Sequence, residues 1–269
     1  MEEYKGRYLY HYTTVESLAL ILKYKTIRFS SLSNVDDLEE IEALDLKDYG
    51  KYCFVSCYTK NEKEEIPVWN MYSQNGSGVR IRLESHMFDN LEEGTNLIQD
   101  NIKEKYDIVF DNKPYEVDYT LIEDRIVPKI MKEEIAYLVD ENDDYFVDEN
   151  GNRYGCTTNI KDLSCIGVCK RECWSFQDEV RYRMNIEPKT NKEFYQKHEQ
   201  YPNELPELDI RYYDIPIKQG ALNNIVVTLG YNISAGNAVI VETLVDKFNK
   251  ENNANIKIEK SKLKIRPKY

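Results

Sequence analysis

Two short stretches of the sequence carry residues whose types and spacing suit chemistry on a sugar. In "LYHYTT", residues 9–14, His11 stands between two tyrosines, directly before a predicted helix start. In "DEVRYRM", residues 178–184, Glu179 is followed two residues later by Arg181. An imidazole can hydrogen-bond a ribose hydroxyl, an aromatic ring can stack on a planar base, and a carboxylate can stabilise positive charge as a glycosidic bond breaks. Together these residue types favour a site that holds a ribose and cleaves such a bond.

Each of these signals also has a purely structural interpretation. A lone histidine in an apolar context is more often a hydrogen-bonded core residue, and Glu179 with Arg181 is more often a surface ion pair. The common phosphate-binding motifs G-x-x-x-x-G-K-[ST] and G-x-G-x-x-G do not occur, nor do G-x-S-x-G and H-E-x-x-H. Their absence excludes the usual nucleotide-binding loops, the serine hydrolase elbow and the zinc peptidase helix.

The composition is acidic, with a formal net charge of -12 over 269 residues, and it includes 22 tyrosines. A surface that neutralises phosphates needs clustered Lys and Arg, so the overall charge argues against nucleic-acid binding except at a local basic cleft. The N-terminal residues "MEEYKGRY" lack the apolar stretch of a signal peptide, and no run reaches the roughly 18 apolar residues of a membrane span. We therefore expect a cytoplasmic protein with no membrane partner.

Six cysteines are present, and in a reducing cytosol we expect free thiols. The spacing C-x3-C-x3-C at Cys165, Cys169 and Cys173, together with Cys156, offers four thiolates, but it departs from the C-x2-C pairs typical of zinc sites. Free cysteine more often behaves as a small buried apolar residue. We expect no metal site, and the role of this cluster stays open.

The hydrophobic pattern predicts a mixture of strands and helices. Tyr8 to Tyr10 form a short strand, Thr13 or Thr14 caps a helix, "TIRFSS" is a second strand and "KYCFVSCY" is a central strand. In the stretch after Gln177, Val180, Tyr182, Met184 and Ile186 share one strand face, whereas Glu179, Arg181 and Arg183 share the other. Helices are predicted at "SNVDDLEEIEALDL", at "LIEDRIVPKIMKEEIAYLV" and from Ser234. The expected fold class is α+β, one domain over residues 1–269, with a mostly antiparallel sheet and an acidic, helical insertion at about 89–155.

Several ordered motifs resemble a widespread, mainly bacterial family described as a domain of unknown function. Its pattern LYHYTS, followed by NDP-x-E, F-x-SC-x-S, MW-x-x-Y and W-x-YE-x-EWR, corresponds here to "LYHYTTVESLALIL", "IRFSSLSNVDDLEE", "CFVSCYT", "VWNMYSQNGSGVRI" and "CWSFQDEVRYRM". The chain departs from the pattern at Asp36, where the family often has Asn, and at Phe176 and Gln177, where it often has Tyr-Glu. Whether Glu179 or the position of Gln177 is catalytic is therefore left open.

That family is similar to ADP-ribosyltransferases of the His-Tyr-Glu type, which transfer ADP-ribose from NAD and release nicotinamide. The resemblance implies an ADP-ribosyltransferase-like fold with a split sheet and flanking helices. It implies that His11 binds the NAD ribose, with Thr13 beside it, and that Glu179 stabilises the oxocarbenium-like transition state. It further implies that Tyr12 and Tyr58 stack on nicotinamide. Arg28 and Arg181 are candidates to bind pyrophosphate, a task that suits a forked guanidinium.

The resemblance leads to two functional hypotheses. The first is an NAD-dependent ADP-ribosyltransferase that acts as an intracellular toxin or anti-phage defence effector on RNA, DNA or protein and is held by an antitoxin or chaperone. The second is a catalytically inactive module that keeps the fold and binds a ligand or protein partner. The first hypothesis requires that the fold bring His11 and Glu179 to one cleft, whereas the second uses either that cleft or the acidic insertion for binding.

Overall fold

The computed structural model describes residues 1–90, 105–135, 146–147, 153–154, 157–189 and 207–265. Within these ranges the chain builds one large, mostly antiparallel sheet with helices on both faces. This confirms the α+β prediction with a mostly antiparallel sheet. The strands are β1 (Glu2–Glu3), β2 (Tyr8–Thr13), β3 (Thr26–Ser31), β4 (Cys53–Thr59), β5 (Val79–Glu84), β6 (Tyr106–Glu116), β7 (Asp118–Thr120), β8 (Met131–Ile135), β9 (Phe146–Val147), β10 (Arg153–Tyr154), β11 (Thr157–Lys161), β12 (Cys169–Arg171), β13 (Glu179–Pro188), β14 (Tyr212–Pro216), β15 (Val226–Leu229) and β16 (Lys257–Lys260).

The α-helices are few among the described residues. They are α1 (Val15–Tyr24), α2 (Ile66–Tyr72), the single turn α3 (Glu123–Ile126) and α4 (Ala235–Asn252). Short 3-10 helices occupy Leu32–Asn34, Leu38–Ile41, Tyr49–Tyr52 and Glu172–Gln177. No helix in the described ranges has both the length and the apolar character needed to cross a bilayer.

The main sheet runs in the order β1-β6-β13-β4-β2-β5-β15-β16, and β3 carries β14 and pairs with β4. Its neighbouring pairs are antiparallel except β15 and β16, which are parallel and are connected through α4. Apolar residues of β2, α1 and α4 share one core, to which Leu9, Leu18 and Val245 belong. Helix α2 packs against the opposite face of β2, where Trp69 contacts Tyr12. Full burial of such side chains contributes about 1.5–3 kcal/mol each, so β2 is anchored from both faces.

Strand β2 and helix α1 follow the local sequence signals closely. The Thr14 hydroxyl accepts a hydrogen bond from the Ser17 amide at 3.1 Å, which satisfies a free donor of the first helical turn. Leu18 and Leu22 face the core, and Lys25 ends the helix in the left-handed conformation with a φ of 55°. The predicted strand, cap and helix are confirmed, although β2 continues beyond Tyr10 to Thr13 and therefore includes His11.

The sheet opens between β2 and β4. Tyr10 pairs with Thr59 at one end of β4, whereas Val55 near the other end pairs with Ser30 of β3. Between these two points, Cys57 has no partner on this edge among the described strands. Its carbonyl oxygen lies 2.9 Å from Nδ1 of His11, so a side chain takes the place of the missing backbone donor.

Two predicted helices are wrong. The stretch at 33–46 forms no α-helix, only the end of the 3-10 helix Leu32–Asn34 and the 3-10 helix Leu38–Ile41, in which Glu40 turns inward to pair with buried cations. The stretch at 121–139 forms α3 and then strand β8, and its residues 136–139 lie outside the described ranges. Pro128 interrupts the helix, and the Asp45 carboxylate accepts hydrogen bonds from the amides of Ile130 and Met131 at 2.9 and 2.7 Å, which directs the chain into β8.

Most of the described residues of the predicted insertion at 89–155 form strands rather than helices. Strand β6 belongs to the main sheet and pairs with β13 along its whole length, with a β-bulge between Tyr182 and Arg183. Residues 91–104, 136–145, 148–152 and 155–156 of this region lie outside the described ranges. The acidic, Asn-rich composition of this region therefore hid the signal of β6, a strand that lacks a clean polar and apolar alternation and whose partner β13 is distant in sequence.

Candidate active site

A cavity of about 90 Å³ lies beside the opening between β2 and β4. It brings together His11 from β2 and Glu179 from the first position of β13, which pairs with Thr59. The two residues predicted from the sequence as the centre of the site therefore share one cavity. Its lining consists of Tyr10, His11, Tyr12, Cys57, Tyr58, Thr59, Val68, Tyr72, Gln177 and Glu179.

His11 is half-buried, and its hydrogen bond to the Cys57 carbonyl determines its tautomer. A carbonyl oxygen can only accept, so Nδ1 carries the proton and donates it to Cys57, which leaves Nε2 as a hydrogen-bond acceptor. Burial lowers the pKa of His11 below its ordinary value of 6.5, and the hydrogen bond to Cys57 opposes this only in part. The imidazole is therefore neutral at pH 7 and presents an acceptor suited to a hydroxyl.

Glu179 is a buried carboxylate held by two cations. Its oxygens accept hydrogen bonds from Arg181 at 2.9 and 3.2 Å and from Lys170 at 3.3 Å. Burial alone would raise its pKa, but Arg181 and Lys170 outweigh that effect and lower the pKa to about 2. Glu179 is therefore ionised at physiological pH, the state needed to stabilise a developing positive charge.

Arg181 is buried in the protein interior and does not form a surface ion pair. Its side chain is 1% exposed, and its guanidinium also binds both oxygens of Glu40 and the carbonyl oxygen of Gly167. Lys170 bridges the same two carboxylates, at 3.3 Å from Glu40 and 3.3 Å from Glu179. Two buried cations thus balance two buried anions. This position does not suit the pyrophosphate-binding role assigned to Arg181 from the sequence and favours a role in holding Glu179.

Gln177 and Glu179 lie side by side on the cavity wall. The Gln177 side chain accepts a hydrogen bond from Lys170 at 2.9 Å and donates one to the Tyr72 hydroxyl at 2.6 Å. Glu179 is the one carboxylate among the described residues that line the cavity. An amide cannot carry the charge that the chemistry requires, so Glu179 is the better candidate of the two.

The tyrosines implicated by the sequence border the same cavity. The ring centroid of Tyr58 lies 5.2 Å from that of His11, with an interplanar angle of 45°. The Tyr12 ring meets Trp69 edge-on at 4.8 Å, which fixes its orientation. Both rings are largely buried, and they provide apolar walls for a flat ligand rather than hydroxyl chemistry.

His11 also borders a second cavity, of about 270 Å³, between β2, α1 and β3. Thr13 and Arg28 line this cavity together with Asp214 of β14. The Arg28 guanidinium is half-exposed, binds both Asp214 oxygens at 2.9 and 3.0 Å, and lies 3.7 Å from the ring centroid of Tyr212. The structure therefore brings His11, Thr13 and Arg28 together on one side of the sheet opening and His11, Tyr12, Tyr58 and Glu179 on the other.

The described cysteines form no group with other ligands that could hold a metal: in the described ranges no cluster of three or more His, Cys, Asp or Glu side chains has that arrangement. Cys165, Cys169 and Cys173 are free thiols, whereas Cys156 lies outside the described residues. Cys57 is the thiol next to the candidate site. Burial and the nearby Glu179 carboxylate raise its pKa well above the ordinary range.

Sequence reasoning missed four residues of this site, namely Glu40, Cys57, Lys170 and Tyr72. Glu40, Cys57 and Tyr72 fall within the motifs quoted above, but the sequence indicated no role in the site for any of them. Lys170 gave no local signal, because it meets Glu40 and Glu179 only through the tertiary fold.

A family model described as a protein of unknown function (DUF2971) matches residues 68–182. The matched segment contains Tyr72, Gln177 and Glu179. It does not include β2 or His11, which precede it in the chain. No curated protein and no solved structure matches the chain. The match supports the predicted resemblance to a domain-of-unknown-function family over this segment.

Proposed function

We propose that this protein is an NAD-dependent ADP-ribosyltransferase that acts as an intracellular toxin or defence effector. The observation that carries the proposal is the shared cavity of His11 and Glu179, in which a neutral imidazole and an ionised carboxylate face the same ligand space. Neither residue type alone indicates the reaction. The pairing of a hydroxyl acceptor with a charge-stabilising carboxylate suits cleavage at a ribose C1′.

The two cavities beside His11 suit the two ends of a dinucleotide. The Tyr12 and Tyr58 rings would border the nicotinamide, and Nε2 of His11 would accept a hydrogen bond from a ribose hydroxyl. Arg28, supported by Asp214, would contact the pyrophosphate from the second cavity. Thr13 lines that cavity next to His11 and would add a hydroxyl near the ribose.

Glu179 retains capacity for one further strong donor. A carboxylate offers about four acceptor positions, and Arg181 and Lys170 occupy three of them. The remaining neighbour is the Cys57 thiol, a weak donor that a ribose hydroxyl would displace. In the proposed reaction the C1′–N1 bond of NAD breaks and its electron pair leaves with nicotinamide. An acceptor oxygen or nitrogen then bonds to C1′ and releases its proton, while Glu179 stabilises the positive charge between these events.

The cavity must widen to admit nicotinamide. Its volume of about 90 Å³ is smaller than the roughly 150 Å³ of a cavity known to accept benzene. The hydrogen bond between Gln177 and Tyr72 spans one wall, and Tyr72 is half-buried on the short helix α2. We infer that this bond opens when NAD binds.

A second candidate function is a non-catalytic module that binds a ligand or a protein partner in the same cleft. The favouring observation is that Arg181 and Lys170 already hold Glu179, which stabilises the fold whether or not NAD is bound. This alternative predicts that a cellular phenotype survives the loss of the Glu179 carboxylate. An antitoxin or chaperone partner fits either function.

The experiment that tests the proposal uses NAD labelled at the adenylate phosphate. The purified protein is incubated with this NAD and with separated RNA, DNA and protein fractions of a cell lysate. We expect label in one macromolecular fraction together with stoichiometric nicotinamide release. Binding of NAD without label transfer and without nicotinamide release in any fraction would favour the non-catalytic module.

A further inference from the structure

A groove of about 540 Å³ adjoins the candidate active site. Tyr10 forms part of both walls, so a ligand in the groove lies next to the cavity of His11 and Glu179. The groove runs across β2, β5 and β15 and is bounded by the loop at 61–64 and the segment at 259–263. It is larger than either cavity assigned to NAD.

The groove concentrates positive charge in a strongly acidic protein. Five Lys and Arg side chains line it against three Glu side chains, whereas the whole chain has a net charge of -12. Within the described ranges, none of the five cations forms an ion pair. Arg80 donates a hydrogen bond to the carbonyl oxygen of Glu62 at 2.9 Å, and the other four are Lys63, Arg82, Lys260 and Lys262.

One of the three acids serves the protein itself. The Glu64 carboxylate accepts hydrogen bonds from the indole of Trp69 at 3.1 Å, from the Ser261 hydroxyl at 2.6 Å and from the Lys262 amide at 2.8 Å. The Glu64 carboxylate therefore fixes the loop at 61–64 to Trp69 and to the segment at 259–263. The unpaired cations are left for a ligand with its own negative charges.

Arg80 and Arg82 line the groove beside Tyr10, and each guanidinium lies against a tyrosine ring. In the sheet register Tyr10 lies opposite Arg82, and Tyr12 lies opposite Arg80. Arg80 lies 4.7 Å from the Tyr10 ring centroid, and Arg82 lies 4.7 Å from that of Tyr8. Guanidinium planes supported by aromatic rings can stack on nucleobases, while lysines at the rim bind phosphates.

We propose that this groove binds a single-stranded nucleic acid, which is the acceptor of the ADP-ribosyl group. The proposal rests on the proposed function for its chemistry: an oxygen or nitrogen of the bound strand replaces nicotinamide at C1′ and loses its proton. The combination of unpaired cations with guanidinium groups that lie against tyrosine rings favours a nucleic acid over an acidic peptide, which requires only the cations. Tyr10, at the border of groove and cavity, places the strand beside the reaction.

The test measures binding of a fluorescein-labelled, mixed-sequence RNA of about 12 nucleotides by fluorescence anisotropy, without NAD. The groove variant is Lys260→Glu/Lys262→Glu, and the matched control is Lys247→Glu/Lys250→Glu on α4, outside the groove. Thermal unfolding by circular dichroism confirms that both variants fold. Since each phosphate contact of a single strand contributes about 0.7 to the slope of log Kd against log salt, we expect the groove variant to lower that slope by about 1.4.

We expect the groove variant to bind RNA at least about tenfold more weakly than the wild type at low salt, and the control to bind within about twofold. Equal binding by the groove variant and the control would overturn the proposal. So would displacement of the RNA by a poly-glutamate peptide at lower concentration than by unlabelled RNA. Since this readout needs no NAD, RNA binding without nicotinamide release would refute the proposed function and leave the groove assignment standing.

Discussion

The Nδ1 atom of His11 lies 2.9 Å from the carbonyl oxygen of Cys57, across the gap where β2 and β4 separate. This hydrogen bond satisfies a carbonyl that the sheet ladder leaves unpaired, and it also leaves Nε2 as an acceptor. One residue thus serves both the fold and the candidate site. The structural and functional interpretations of His11 are therefore compatible.

The first prediction concerns the pH dependence of NAD binding. Because the folded pKa of His11 is below 6.5, NAD affinity should be constant from about pH 8 to about pH 6.5 and fall only at lower pH, where Nε2 gains a proton. The same depressed pKa stabilises the folded state above pH 6.5, and that contribution is lost as the pH falls through the folded pKa. Isothermal titration calorimetry of the wild type and of His11→Ala checks this. A pH dependence that persists unchanged in His11→Ala would assign it to another group.

The second prediction concerns Arg28. Arg28→Met should raise the Kd for NAD by about tenfold or more through loss of a charge-assisted contact, with little effect on stability because the Arg28 pair with Asp214 is exposed. Arg7→Met is a matched control, since Arg7 also pairs with a carboxylate, Glu84, and lies over a tyrosine ring. Titration of both variants with NAD is the measurement. An equal change in Kd for the two would contradict a specific role for Arg28.

The third prediction concerns the buried charges. Arg181→Met should lower the free energy of unfolding by about 3–5 kcal/mol, because it leaves Glu40 and Glu179 with one buried cation between them. Lys218→Met, which breaks the exposed pair with Asp89, should cost less than about 1 kcal/mol. Urea denaturation followed by tryptophan fluorescence gives both values. Similar losses in the two variants would show that the network contributes no more than a surface ion pair.

The sequence predicted the strand faces of β13 correctly but not the environment of its polar face. Val180, Tyr182, Met184 and Ile186 are buried as the alternation indicates. Glu179 and Arg181 on the other face are buried as well, at 6% and 1% exposure. Their partners Glu40 and Lys170 come from other parts of the chain, and a period-two pattern records which face a residue occupies, not what covers that face.

The two wrong helix predictions have a related cause. Helical periodicity and acidic composition describe a segment in isolation. In the folded chain Glu40 pairs with Lys170 and the Asp45 carboxylate binds the Ile130 amide, and a regular helix in these segments would not allow either contact. Tertiary hydrogen bonds and ion pairs thus overrode a weak local preference. In "LYHYTT", by contrast, strand, cap and helix are all local features, and the structure follows them.

The central claim is that Glu179 performs chemistry in addition to stabilising the fold, and Glu40 provides the control for it. Both carboxylates are buried and both pair with Arg181 and Lys170, but only Glu179 lines the cavity with His11. Glu179→Gln and Glu40→Gln therefore remove the same charge from the same network and should cost similar stability.

The most direct test compares nicotinamide release from NAD by the wild type and these two variants, at a temperature where circular dichroism shows all three to be folded. The account predicts a fall of about 10²–10³-fold for Glu179→Gln and a change within about tenfold for Glu40→Gln. Equal rates for Glu179→Gln and the wild type, or equal losses in the two variants, would contradict it.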